Sequence, residues 1–343
     1  MNKILSLAQT LILCSLLSCS GEKQSAPAEV SNATDSLTVS GVVSKEYLQK
    51  ADSAMVQCYL TAAPFAKDGG AGAQRSLFGI GENGSFAFRV PTLCPQLCII
   101  GIGGKSNAPA GTGDLFFLHP ADSLGISAQW QDGKLTASYS GAEPLASVKD
   151  FGRAQAFFIE HINDFAGYTD MPAQQEKCLA ELAALQEKRK ELQLSAPIDD
   201  YLRLQLNVSA LSVLALAQGV SPDDFDFLRD FDLGHDFCPS TYFFYPAMTN
   251  LIRNKAFGLP DIAENSATEW MAKAKDALGK YIPAECETLY TLLTSVVYYN
   301  QLHAGKKFSA EQTEEIRNFF SPDRQHMSLI ASFLLKENDK IKE

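Results

Sequence analysis

The feature that most restricts the fold is a single change of apolar period near residue 141. Before it, apolar residues recur at every second position, in short runs broken by turn residues. After it they recur every three or four, the spacing of a helix face. A run of strands followed by a run of helices predicts an α+β chain of two domains. These are an N-terminal antiparallel β-sandwich or barrel over 37–141 and an all-α helical domain over 142–343.

In the first half, Leu37–Val43 and Ala54–Leu60 read as strands, the second with Val56, Cys58 and Leu60 opposing Met55, Gln57 and Tyr59. Phe65–Gln74 reads as loop. Ser76–Ile80 and Ser85–Val90 flank Asn83-Gly84, a two-residue signal for a type I′ hairpin. Leu97–Ile102, Leu115–Leu118, Ser123–Trp130 and Lys134–Tyr139 follow, the last two joined by the turn Asp132-Gly133. Seven or eight short strands at this spacing suit a sandwich or barrel.

In the second half, Val148, Phe151, Ala154, Phe157, Phe158, Ile162 and Phe165 trace a helix ending near Gly167. A second starts near Ala173 and exposes the mixed charges Glu187–Glu191. Pro197, with Asp199 and Asp200 in the first turn, opens a helix that is apolar nearly all round, the expected spine of the domain. Ser221-Pro222-Asp223-Asp224 starts another, and Pro246 sits near the start of the next. Ser266 with Glu269, and Ser309 with Gln312, have the spacing of capping boxes. Leu289, Leu292, Leu293, Val296 and Val297 form an apolar stripe, and the last helix carries Met327, Ile330, Ala331 and Leu334.

No stretch carries a catalytic motif. Gly79-Ile80-Gly81-Glu82-Asn83-Gly84 has the letters of a dinucleotide fingerprint, but Ser85–Val90 continues as a strand, so there is no helix N-terminus to hold phosphate. The acids Asp223–Asp236 fail the calcium-loop register, since counting from Asp230 puts His235 at the sixth position and Thr241 at the twelfth. The five histidines include no i, i+4 metal pair, and no cysteine doublet has zinc spacing. Catalytic residues, metal ligands and cofactors are therefore predicted as none. Cys94-Pro95-Gln96-Leu97-Cys98 is the one candidate redox or disulfide pair. Its spacing of three, between strands rather than at a helix start, favours a structural bridge or two buried thiols over a redox couple.

The leader also bears on function. Lys3 precedes an apolar run from Ile4 to Leu17, too short to span a membrane but suited to a secretory signal. Leu16-Leu17-Ser18-Cys19 resembles the lipobox of bacterial lipoproteins. The resemblance implies cleavage after residue 18 and acylation of the Cys19 thiol. Cys14 competes, but Leu13 before it suits the peptidase poorly. Several acyl chains on one residue anchor stably, so Cys19 is the expected membrane partner. Ser20 in place of an acidic residue implies sorting to the outer membrane. Residues 19–36 read as a polar, flexible tether. The formal charge of −11 argues against nucleic acid as a partner. Six cysteines follow the tether (58, 94, 98, 178, 238 and 286), three on each side of residue 141, so each side keeps a free thiol unless a bridge crosses between them.

Leu37–Val43, Asn83–Phe88 and Gly113–Leu124, with Phe227–Phe231 and Pro239–Phe244 in the helical half, resemble the N-terminal portion of Bacteroidota TlpA-type thioredoxin-like lipoproteins. That family orders a lipobox, a β-domain of unknown function, a helical segment and a thioredoxin-like domain with C-x-x-C. No C-x-x-C follows the helices here, so the family's active-site cysteines map onto no position. The function expected is a non-enzymatic binding or scaffold lipoprotein of the cell envelope, taking a protein or peptide. The alternative is an accessory in thiol–disulfide exchange.

Overall fold

Period-two alternation turns into two stacked sheets. A computed structural model describes residues 36–51, 53–60, 74–104, 111–165, 167–168, 173–321 and 327–341. The leader, Cys19, the tether and most of the 65–74 loop lie outside the described residues. The strands are β1 (Ser36–Val43), β2 (Met55–Leu60), β3 (Gln74–Gly79), β4 (Ser85–Pro91), β5 (Gln96–Gly103), β6 (Thr112–Leu118), β7 (Ser123–Gln131), β8 (Lys134–Ser140) and β9 (Ala146–Ser147). One sheet runs β4-β1-β7-β8 and the other β3-β2-β5-β6-β9. Leu37, Val39, Leu124 and Ile126 of the first meet Val56, Cys58, Ile100 and Phe116 of the second in one apolar cluster. The β-region is a sandwich of two open sheets, not a barrel.

Three details depart from expectation. β1 pairs antiparallel with β4 but parallel with β7, with Val39 opposite Leu124, so the sandwich is not wholly antiparallel. Alternation is unchanged when a strand is reversed, which is why direction was invisible to it. The Asn83-Gly84 turn is not a hairpin, because β3 and β4 belong to different sheets. A type I′ turn needs positive φ at both central residues, and here only Gly84 has it. The Asn83 side chain instead accepts from the Ser85 amide at 3.0 Å and turns the chain from one sheet to the other. Asp132-Gly133, with φ of 50° and 78°, does form the β7–β8 hairpin. Finally, a short helix, α1 (Lys45–Lys50), capped by Ser44, places the fully buried Tyr47 in the sandwich cluster.

The helices cover the outer face of the second sheet. Leu97, Ile99 and Leu115 point away from Cys98, Ile100 and Phe116, and join a second cluster built mainly from helical residues. That is why β5 is apolar without alternation: both of its faces are buried. Residue 141 therefore does not separate the two cores. The segment after it is not all helix either, since β9 first pairs with β6, Ala146 opposite Leu115. α2 (Val148–His161) starts at Ser147, whose hydroxyl accepts from the Asp150 amide, and ends before the expected Gly167. α3 (Gln175–Lys190) and α4 (Ala196–Leu214) follow, and α4 is buried nearly all round as its composition implied. Residues 222–230 form a 3-10 helix closed by a Ser221/Asp224 capping box. Then come α5 (Phe244–Arg253), α6 (Ala267–Leu278), α7 (Glu287–His303), α8 (Ala310–Phe319) and α9 (Ser328–Asp339). Both capping boxes read from the sequence, at Ser266/Glu269 and Ser309/Gln312, are formed.

A polar seam joins the layers. The Leu97 amide donates to Ser240 Oγ at 3.1 Å, and Tyr201 of α4 donates its hydroxyl to the Ser240 carbonyl at 3.3 Å. Gln205 donates to Tyr201 and accepts from the Tyr242 amide at 2.8 Å. Each buried group in this seam has a partner, so the sheet and helices meet in one orientation. No helix among the described residues is long and apolar enough to cross a membrane.

Candidate functional site

Two places concentrate groups that chemistry could use: the cysteines, and a cleft among the helices. Cys94 and Cys98 are both fully buried but on opposite sides of the second sheet. Cys94 faces the helices, whereas Cys98 faces the interior of the sandwich. The structure does not bring this pair together, because Cys94 lies in the bend before β5 and packs with the helical cluster, whereas Cys98 lies within β5 on its sandwich face.

Cys98 instead meets Cys58 of β2, with 3.8 Å between the sulfurs. The register places Cys58 opposite Ile100 and Cys98 opposite Leu60, so the two are diagonal neighbours. Diagonal Cβ atoms lie about 7 Å apart, whereas a disulfide needs about 3.5–4.5 Å. A bridge would require the strands to shift. All six described cysteines are free thiols. Burial pushes the Cys94 thiol up to about 12 and Cys178 up to about 11. Burial also raises Cys98, with Cys58 adding to the effect, and raises Cys238. A thiol is reactive as thiolate, and these surroundings oppose the thiolate.

Among the histidines, His161 has its Nδ1 2.6 Å from Asp164, while Nε2 faces Lys188 Nζ at 3.0 Å, tying α2 to α3. None of these three lines the cleft. Among the described residues no group of three or more His, Cys, Asp and Glu side chains is arranged to hold a metal ion.

The cleft encloses about 530 Å³ between the C-terminal ends of α5 and α7 and the segment 254–263. That size falls in the range of small-molecule sites. Its walls are fixed by hydrogen bonds. The buried Asn254 donates to the carbonyls of Ala215 and Ala217 and accepts from the Ala256 amide, which fastens the segment to the end of α4. Gly258, at φ 58°, turns the chain between two 3-10 turns. Trp270 Nε1 donates to the Pro260 carbonyl at 3.0 Å. On the far side, Gln301 and Gln312 exchange amide bonds at 3.1 and 3.0 Å.

Ile252, Leu259 and Val297 supply apolar lining, and Arg253, Lys255 and Lys306 are cations at the edge. No ion pair joins any of the three to a carboxylate among the described residues. Asp261 is the one carboxylate in the lining, and its Oδ1 accepts from the Ala263 amide at 3.0 Å. Asn300, 8% exposed, also lines the cleft. Its Oδ1 accepts from Tyr245 at 2.7 Å and from Thr249 at 3.3 Å, while its Nδ2 is buried without a partner. An unpaired buried donor costs about 1–3 kcal/mol, so an acceptor brought to it would be stabilised.

Sequence reasoning missed this site. Its residues are spread over more than fifty positions and match no motif. The one usable signal was Asn300, a polar residue three positions after Val297 and thus continuing the face of the apolar stripe. Compared with family models, curated proteins and solved structures, the chain matches none.

Proposed function

We propose that this chain is a lipoprotein, anchored at the outer membrane through Cys19, that binds a component of the cell envelope and catalyses no reaction. The observation that carries the binding part is the cleft. It combines apolar lining, a rim of cations that form no ion pair among the described residues, and an amide donor awaiting an acceptor. The burial of Cys94 and Cys98 and their placement on opposite faces of the sheet favour binding over redox work. The Cys19 anchor and the outer-membrane address rest on the leader sequence. The kinship with the N-terminal portion of TlpA-type lipoproteins rests on short stretches of both halves, from Leu37–Val43 to Pro239–Phe244, and the order of sandwich then helices is consistent with it.

The 3.8 Å approach of Cys58 to Cys98 favours a second reading, an accessory in thiol–disulfide exchange. Thiol counting on folded protein, with and without reductant, separates the two. Binding predicts thiols that stay unreactive until the chain is denatured. A Cys58–Cys98 bridge that cycles under mild reductant would establish the redox reading instead. Mass spectrometry should find Cys19 as an acylated N-terminus, and recovery of the protein from native envelopes should bring a partner or small molecule with it. An unmodified N-terminus would remove the anchor from the reading.

A further inference from the structure

We propose that the cleft between α5 and α7 is a site for a small organic anion, with a carboxylate or phosphate head and an apolar body. This rests on the binding-protein reading and specifies its ligand. Around the cleft stand three positive side chains, Arg253, Lys255 and Lys306, against the single carboxylate of Asp261. The chain as a whole carries −11. Elsewhere many cations are committed, as Lys275 is to Glu287, Lys280 to Asp223 and Asp226, and Arg203 to Asp232. A local excess of uncommitted positive charge in an acidic chain draws anions to that opening.

The inner wall then selects the shape of the ligand. Ile252 and Val297 offer apolar surface, and the Asn300 Nδ2 lacks an acceptor. An anionic head group suits the cations, an acceptor oxygen suits the amide, and a short apolar body suits the wall. The cations also sit at the ends of α5 and α7, where the last carbonyls favour positive charge. A purely helix-capping role makes a different prediction, so the experiment separates the two.

The test titrates full-length protein with 8-anilinonaphthalene-1-sulfonate and, in parallel, with N-phenyl-1-naphthylamine, the same ring system without the sulfonate. The anionic probe is expected to bind at one site and more tightly than the neutral one. The double variant Lys255→Gln with Lys306→Gln should weaken the anionic probe about tenfold and leave the neutral probe unchanged. Ala304→Trp fills the mouth of the cleft from an exposed position and should abolish both without lowering the melting temperature. Competition by octanoate and by octyl phosphate distinguishes the two head groups.

Equal affinity for the two probes overturns the proposal, as does binding of neither. Unchanged affinity in the lysine variant, with a lowered melting temperature, assigns the cations to the helix ends and also overturns it. Probe binding that survives Ala304→Trp places the probe elsewhere and overturns it too. If both probes fail while native recovery still yields an envelope partner, the binding-protein reading stands and only this assignment falls.

Discussion

The interior of the sandwich and the cleft among the helices each hold polar or nucleophilic groups away from water, with opposite consequences. Cys58 and Cys98 lie in the apolar cluster of the sandwich, and their sulfurs approach each other. A thiol loses little by such burial and behaves as a small hydrophobe. Asn300 is almost as buried, yet an amide cannot be satisfied by methyl groups, and one of its two ends has no partner. Burial by itself therefore marks no site. What distinguishes the cleft is an unmet hydrogen-bonding requirement beside an opening.

The largest expected contrast comes from volume. Phe116→Ala, in the sandwich interior where Phe116 is fully buried, should cost about 3–5 kcal/mol. Ala304→Trp at the cleft should change stability by less than about 0.5 kcal/mol. Denaturant unfolding monitored by circular dichroism measures both. Similar losses would mean that the cleft belongs to the packed core, and the comparison would fail.

Next in size is the polar seam. Ser240→Ala removes the acceptor of the Leu97 amide and should cost about 1–3 kcal/mol. Cys58→Ser puts a hydroxyl into the dry sandwich and should cost a similar amount, whereas Cys58→Ala should cost less than the serine variant. If serine proved the milder change, an acceptor or water would have to reach that interior. Loss of the Ser266 cap through Ser266→Ala should cost about 1 kcal/mol, readable as a small drop in the denaturation midpoint.

Titration separates the regions in a different way. Buried thiols such as Cys94 are raised, to about 12, above the ordinary value of about 8.5 that an unfolded cysteine keeps. Their contribution is fully present below about pH 8.5 and drains away as pH rises towards 12, because only the unfolded chain releases the proton. Cys94→Ala should flatten that alkaline decline in melting temperature. Asp150 behaves oppositely. The backbone hydrogen bond from Ser195 holds its carboxyl below the usual value, with Arg153 adding to the effect. Its contribution is present above about pH 4 and is lost as pH falls through the lowered value. Asp150→Asn should flatten the acid limb. The smallest effect is reserved for Lys255→Gln with Lys306→Gln, within about 0.5 kcal/mol of wild type, despite the weaker binding of the anionic probe.

Much of the local structure was legible because its causes are local. Ser266 with Glu269, and Ser309 with Gln312, announce helix starts through bonds that span three residues. The uninterrupted apolar run Leu97–Ile102 carried a further message, burial on both faces, which accounts for the helices lying against that sheet. Asn83-Gly84 misled because the same dipeptide serves a tight hairpin or an asparagine-stabilised corner, and only the neighbouring sheets decide between them. The cleft was illegible for a related reason: α5, α7 and the 254–263 segment converge through packing, not through any spacing along the chain.

The amino-acid order alone determined the kind of most segments, though not the short helix α1 or strand β9, and it determined the caps that start α6 and α8. Those follow from periodicity and from bonds within a turn of chain. Only the tertiary structure decided that β1 runs parallel to β7, that Cys98 keeps company with Cys58 instead of Cys94, and that Asn300 lines one cleft with Arg253, Lys255 and Lys306. Alternation is the same whichever way a strand runs and whichever strand lies beside it, so those choices are made by the burial of the whole assembly.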